Sequence, residues 1–60
     1  MIKILQIHLF TDIDKLLLVY RNEENNPDYF KIDLLIGNKE FILKAYAKYS
    51  LEKKIPFIIN

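Results

Sequence analysis

The pattern of apolar residues changes once along the chain, at Gly37-Asn38, and this change constrains the fold more than any other feature. Before it, residues 2–10 form a nearly continuous apolar run and residues 30–36 largely alternate, and both patterns are typical of strands. After it, residues 39–54 are rich in Ala, Leu, Lys and Glu, which favour helices, and Asn38 is a suitable N-cap. The sequence therefore predicts strands first and a helix near the carboxyl terminus.

Residues 11–22 have two interpretations. Apolar residues from Ile13 to Tyr20 have helical spacing, whereas the uninterrupted run LLLVY is typical of a strand. The polar loop EENNPD that follows favours a hairpin, so residues 15–21 are interpreted as a strand. The expected fold class is α+β, a three- to four-stranded, mainly antiparallel sheet with one C-terminal helix packed on it (β-β-β-α-β). The alternative, with residues 12–22 helical, is β-α-β-α-β.

The helix is predicted to pack on the sheet through one stripe of side chains. At about 100° per residue, five residues fall within one arc that would face the sheet: Phe41, Ile42, Ala45, Tyr46 and Tyr49. The opposite side carries a smaller apolar group that would face outward: Leu43, Ala47 and Leu51. Pro56 ends the helix, and the residues after it are interpreted as a final strand or a tail against a neighbour.

A chain of 60 residues is expected to form one small domain, residues 1–60, with little interior. Domains of this size often depend on disulfides, a metal or a second subunit, and this chain has no cysteine. Its hydrophobic fraction of 52% is more than so small a core can cover. We therefore expect a homodimer, or binding to another protein, through the outer helix face and the tail: Leu43, Ala47, Leu51, Phe57, Ile58 and Ile59.

Positive charge is concentrated towards the carboxyl terminus. Residues 1–37 carry four Lys or Arg against six Asp or Glu, a net −2, whereas residues 38–60 carry five against two, a net +3. Because lysine binds phosphate and tyrosine stacks on bases, the segment KAYAKYSLEKK makes a nucleic-acid-binding regulator the alternative function. Its contacts would be Lys39, Lys44, Lys48, Lys53 and Lys54. These lysines are spread around the helix, which favours the first interpretation, in which they surround a core.

Three aromatic residues near the predicted hairpin turn suggest a second possible surface for nucleic-acid binding. Tyr20, Tyr29 and Phe30 would resemble the aromatic platform of RNA-binding sheets if they shared an exposed face. A cross-strand aromatic pair that needs no ligand is the favoured interpretation. The acidic residues nearby, Glu23, Glu24 and Asp28, would repel phosphate.

The sequence holds little material for catalysis. His8 is the single imidazole, Thr11 and Ser50 are the single threonine and serine, and one glycine cannot build a phosphate loop. His8 with Asp12 and Asp14 would supply too few ligands for a metal site. We therefore expect no enzymatic activity, no metal, no cofactor and no small-molecule substrate.

The expected location is the cytoplasm. No apolar run reaches the ~18 residues of a membrane span, the first residues lack signal-peptide features, and cysteine is absent. The abundance of Ile, Lys and Asn suggests an AT-rich genome. The functional hypothesis is a phage- or plasmid-encoded accessory or inhibitor protein that binds a partner protein and self-associates.

Overall fold

The computed structural model describes residues 2–60, and its elements follow the predicted order β-β-β-α-β. The elements are β1 (Lys3–Phe10), β2 (Lys15–Arg21), β3 (Pro27–Asp33), α1 (Lys39–Lys53) and β4 (Phe57–Ile59). The strands form one sheet in the order β3-β2-β1-β4, in which β1 and β4 are parallel and the other neighbours are antiparallel. The strand interpretation of residues 15–21 is confirmed, and the alternative with a helix in this segment is wrong.

The sheet has one covered side and one open side. Because α1 connects the two edge strands, it crosses the sheet on a single side, and no other helix or strand of residues 2–60 packs on the opposite side. The core on the helix-facing side is small: Ile7 and Leu16 are fully buried, and Leu18 and Leu34 nearly so. Directly paired residues share a side. The open side therefore carries Lys3, Gln6, His8, Phe10, Lys15, Leu17, Val19, Arg21, Tyr29, Lys31, Asp33 and Ile58.

An extra residue in β1 places apolar side chains from both halves of this strand on the helix-facing side. Strict alternation predicts that Ile4 and Ile7, three residues apart, lie on opposite sides of the sheet. In the structure Ile4 pairs with Tyr20 and Gln6 pairs with Val19, so Leu5 is an extra residue and forms a β-bulge. Because of this bulge, Ile4 joins Ile7 on the helix-facing side and packs against the core.

The side of α1 that faces the sheet is rotated from the predicted stripe. Ile42, Tyr46 and Tyr49 pack against the core as predicted. Leu43, predicted to face outward, also packs there, whereas Phe41 is 77% exposed and Ala45 is exposed. These three predictions were wrong because spacing along the helix does not include the hydrogen bonds that hold its two ends to the rest of the domain.

Hydrogen bonds at both ends of α1 fix this rotation. Asn38 precedes the helix as predicted, but its side chain does not cap it: Oδ1 accepts a hydrogen bond from the Leu35 amide at 2.7 Å. The loop is tied to the β1–β2 turn, because the Leu34 amide donates to the Asp14 carbonyl at 2.9 Å. At the other end, the buried Ser50 hydroxyl donates to the Ile55 carbonyl.

Lys54 ends the helix in the left-handed conformation, at φ 55° and ψ 45°. Glycine adopts this conformation without the steric cost that a Cβ imposes. We expect Lys54→Gly to raise the free energy of unfolding by about 0.5–1 kcal/mol. The matched control, Lys44→Gly, lies at an exposed position inside the helix and should lower it by about 1 kcal/mol. Urea denaturation measures both values, and a loss of stability in both variants would contradict the assignment.

Candidate functional site

The strand β3 forms one edge of the sheet and is its most exposed strand. It pairs only with β2, and of its seven residues only Ile32 is half-buried. Tyr29 and Phe30 point to opposite sides of the sheet and are 62% and 58% exposed. The strand contains no bulge, and its one proline, Pro27, stands at its first position. An edge of this kind presents unpaired backbone groups that can pair with another chain.

The other edge, β4, is only three residues long and offers less backbone. It contains the tail residues that were predicted to bind a partner. Phe57 packs against the core, Ile58 lies half-buried on the open side, and Ile59 is 69% exposed. Phe57 thus has a structural role that the sequence reading missed, and partner binding by Ile58 and Ile59 stays a prediction.

The predicted outer helix face is smaller than expected. Leu43 is half-buried against the core, so only Ala47 and Leu51 of this group are exposed, with Leu51 82% exposed. A separate apolar group surrounds the start of α1, where Leu35, Ile36 and Phe41 are all exposed. The candidate residues therefore do not form one continuous apolar surface on the helix.

Positive charge gathers on the open side of the sheet. This side carries four basic residues, Lys3, Lys15, Arg21 and Lys31, and one acidic residue, Asp33, a net +3. The remaining five basic and seven acidic residues of the chain sum to −2. The sequence reading missed this patch because its members come from three strands and are brought together only by the register of the sheet. The alternating positions of Lys15, Arg21 and Lys31 are the signal that points to it.

The acid on the open side is already neutralised. Lys15 forms a salt bridge with Asp33, and the hydrogen bond and charge of Lys15 hold the pKa of Asp33 below its usual value. Asp28, which was expected to repel phosphate from Tyr29, lies on the helix-facing side instead. Its carboxylate accepts a hydrogen bond from the Tyr20 hydroxyl at 3.4 Å. Partial burial and the neighbouring Asp28 carboxylate raise the pKa of Tyr20.

Rings and apolar side chains lie between the cations of the open side. The His8 and Phe10 rings stack with centroids 6.3 Å apart at an interplanar angle of 16°. Gln6 holds the His8 ring, since Nε2 of the ring lies 3.0 Å from Oε1 of the amide. Leu17 pairs with His8 in the register of β1 and β2. An open cavity of about 250 Å³ is lined by Phe10, Ile13, Lys15, Leu17 and Lys31.

A larger cleft of about 500 Å³ lies at the Arg21 end of the sheet, where β1 begins and α1 ends. Three basic residues from three elements line it, Lys3, Arg21 and Lys53, together with the half-buried Tyr49. The Arg21 guanidinium is held by the β2–β3 loop, because Nη1 donates to the Asn25 carbonyl at 3.0 Å. No acidic residue lines this cleft among residues 2–60.

The helix lysines that were predicted to contact nucleic acid do not converge. Lys39 pairs with Asp14 at 2.8 Å, and Lys48 lies 3.9 Å from the Glu52 carboxylate. Lys53 lines the cleft, Lys44 is exposed, and Lys54 occupies the left-handed helix end.

Three further findings concern the described residues 2–60. No group of three His, Cys, Asp or Glu side chains lies close enough to hold a metal ion there. His8 lies on the open side, and Asp14 is engaged by Lys39. No helix in this part of the chain combines the length and the apolar character that crossing a membrane requires.

The sequence matches no protein-family model and no curated protein, and no solved structure matches the chain.

Proposed function

We propose that the protein is a non-enzymatic interaction module that self-associates by pairing the edge of β3 with β3 of a second copy. The observation that carries the proposal is the exposure of β3: seven residues with an unpaired edge, and Tyr29 and Phe30 exposed on its two sides. Pairing there extends the sheet and satisfies the free backbone groups of both chains.

The accessible surface area of the chain is larger than that of a compact monomer, which supports an interface with a second chain. The chain exposes 4805 Å². A compact monomer of its 7.2 kDa mass exposes about 4,100 Å² by the scaling of surface with mass. The excess of roughly 700 Å² is close to the ~800 Å² that each partner buries in a standard protein interface.

The side chains of β3 support one register of self-pairing. Antiparallel pairing about a two-fold axis at Phe30, the middle residue of β3, places the two Phe30 rings opposite each other. In this register Tyr29 lies opposite Lys31 of the second copy, which gives two cation–π contacts. An axis at Lys31 would instead place two lysines opposite each other, which is unfavourable.

Sedimentation velocity with a matched pair of variants tests this proposal. We expect the unmodified chain to sediment with about twice the 7.2 kDa mass of one copy at high concentration. Phe30→Asp should give a folded monomer, because two carboxylates would face each other across the axis. The control, Leu51→Asp, places the same charge on the outer helix face and should leave the dimer intact.

Either of two outcomes would contradict the β3 interface. A monomer at high concentration in the unmodified chain removes self-association altogether. Dissociation by Leu51→Asp with an intact Phe30→Asp dimer would move the interface to the helix, as the sequence reading predicted. Circular dichroism of each variant verifies that a change in mass is not caused by unfolding.

A cytoplasmic location and a phage or plasmid origin belong to the same proposal. The absence of cysteine supports a reducing compartment, and the abundance of Ile, Lys and Asn supports an AT-rich genome. Fractionation of cells that express the tagged chain checks the location: recovery from the periplasm or the medium would contradict it.

A further inference from the structure

We infer that the open side of the sheet binds single-stranded nucleic acid. Bases would stack on the rings of Tyr29, Phe10 and His8, and phosphates would contact the basic residues around them: Lys3, Lys15, Arg21 and Lys31. This site shares Tyr29 and Lys31 with the β3 edge, but its other residues lie on β1 and β2, and it does not depend on self-association.

The charge of the open side selects an anionic occupant. The side carries a net +3 on a chain whose total is +1, and its one carboxylate is paired with Lys15. Among residues 2–60, Lys3, Arg21 and Lys31 have no carboxylate within salt-bridge distance. A polyanion would neutralise these cations and release its counterions, which is the main source of affinity for phosphate chains. A second copy stacked face to face would instead bring cations against cations.

The rings on this side select an occupant with exposed bases. Tyr29 is 62% exposed on an otherwise uncovered side, and the stacked His8 and Phe10 rings lie on β1. Aromatic side chains on a sheet hold unstacked bases of single strands, and this contact tolerates any base sequence. A duplex keeps its bases paired inside, so it offers these rings no partner.

The cavity at the Lys15 end of the open side places both kinds of contact together. Phe10 and Leu17 line this cavity of about 250 Å³ together with Lys15 and Lys31, so one base can stack on the Phe10 ring while its phosphate contacts a lysine. At the other end of β2, Lys3 and Arg21 lie on the open side, and the cleft of about 500 Å³ leads from them towards Lys53 on the helix. Lys15 and Arg21 lie six residues apart on β2, about 20 Å, and a single strand can follow this line from the cavity to Lys3 and Arg21.

Fluorescence anisotropy with labelled oligo-uridine RNA, oligo-thymidine DNA and a DNA duplex of mixed sequence tests this site. We expect both single strands to bind at low salt, the duplex to bind at least tenfold more weakly, and the affinity to fall steeply with salt. A preference between the two single strands distinguishes RNA from DNA as the natural occupant. No binding at low salt, or equal binding of the duplex, would overturn the inference.

Three single substitutions localise the contact. Tyr29→Ala should weaken single-strand binding about fivefold or more, because one stacked base is lost. Lys3→Gln, which lies on β1 two strands away from β3, should weaken binding and reduce the dependence on salt by about 0.7 in the logarithmic slope. Lys44→Gln removes the same charge from the exposed side of α1 and should change neither value. Equal effects of Lys3→Gln and Lys44→Gln, with no effect of Tyr29→Ala, would reduce the binding to general charge attraction and overturn the site.

The assembly state is measured separately for each variant by sedimentation. Tyr29 also lies next to the proposed two-fold axis, whereas Lys3 lies on β1, which does not pair with β3 in the sheet. Lys3→Gln therefore reports on nucleic acid with the β3 edge unchanged. A monomer that still binds single strands would contradict the proposed dimer and leave this inference intact, and a dimer that binds none would do the reverse.

Discussion

Replacement of Leu16 by alanine is expected to leave a large fraction of the molecules unfolded at room temperature. Among residues 2–60, Leu16 and Ile7 are the two fully buried side chains, and Leu16 lies on the central strand β2. Truncation of a buried leucine to alanine costs about 2–5 kcal/mol, because contacts are lost and a cavity remains. A core in a domain of this size rarely supplies more than about 3–5 kcal/mol, so little stability would be left. Urea denaturation followed by circular dichroism measures the loss.

Leu17→Ala is the matched control for this experiment. The two leucines are neighbours in β2, but Leu17 lies half-buried on the open side. Its truncation should cost about 1 kcal/mol or less, because it leaves no closed cavity. If Leu17→Ala costs as much as Leu16→Ala, the open side is covered in solution, and the description of one uncovered side is wrong.

Deletion of a single leucine is expected to be tolerated in β1 and to abolish the fold in β2. Removal of Leu5 takes out the bulged residue of β1, and every other pair of β1 and β2 keeps its register. We expect this variant to fold with a loss of about 1–2 kcal/mol, from the half-buried side chain alone. Thermal denaturation should therefore still give one cooperative transition.

Deletion of Leu17 from β2 should abolish the fold. This strand pairs on both sides without a bulge near Leu17, so the deletion moves either Leu16 or Leu18 from the core to the open side. The same shift turns a charged end of the strand, Lys15 or Arg21, towards the helix, which adds the cost of burying a charge. A cooperative transition in this variant, or the lack of one after deletion of Leu5, would refute the register described above.

The order of elements could be predicted because each element has a local signal. The polar loop EENNPD and the apolar run before it identified the hairpin of β2 and β3. The composition of residues 39–54 identified α1, and Pro56 marked its end. Each of these signals lies within a few consecutive residues, so it does not depend on contacts with distant parts of the chain.

The rotation of α1 and the bulge in β1 could not be predicted in the same way. The local sequence of α1 favours Phe41 and Leu43 about equally as the residue that faces the sheet. Which of them does so depends on the hydrogen bonds of Leu34 and Ser50 at the two ends of the helix. Leu5 has no local mark of a bulge, since neither of its neighbours is a glycine and Gln6 would also suit the exposed side of a regular strand. Both features arise from pairing with distant residues.

The sequence by itself determined that this chain is a small sheet with one helix and that it has more apolar surface than it can bury, because periodicity and composition are properties of the chain alone. The tertiary structure decided which surfaces remain available. The basic residues of three strands, together with Tyr29, came to lie on one side only when the register of β1, β2 and β3 was set. The physical reason is that a strand has two sides, and a pairing partner far along the chain decides what stands beside each residue.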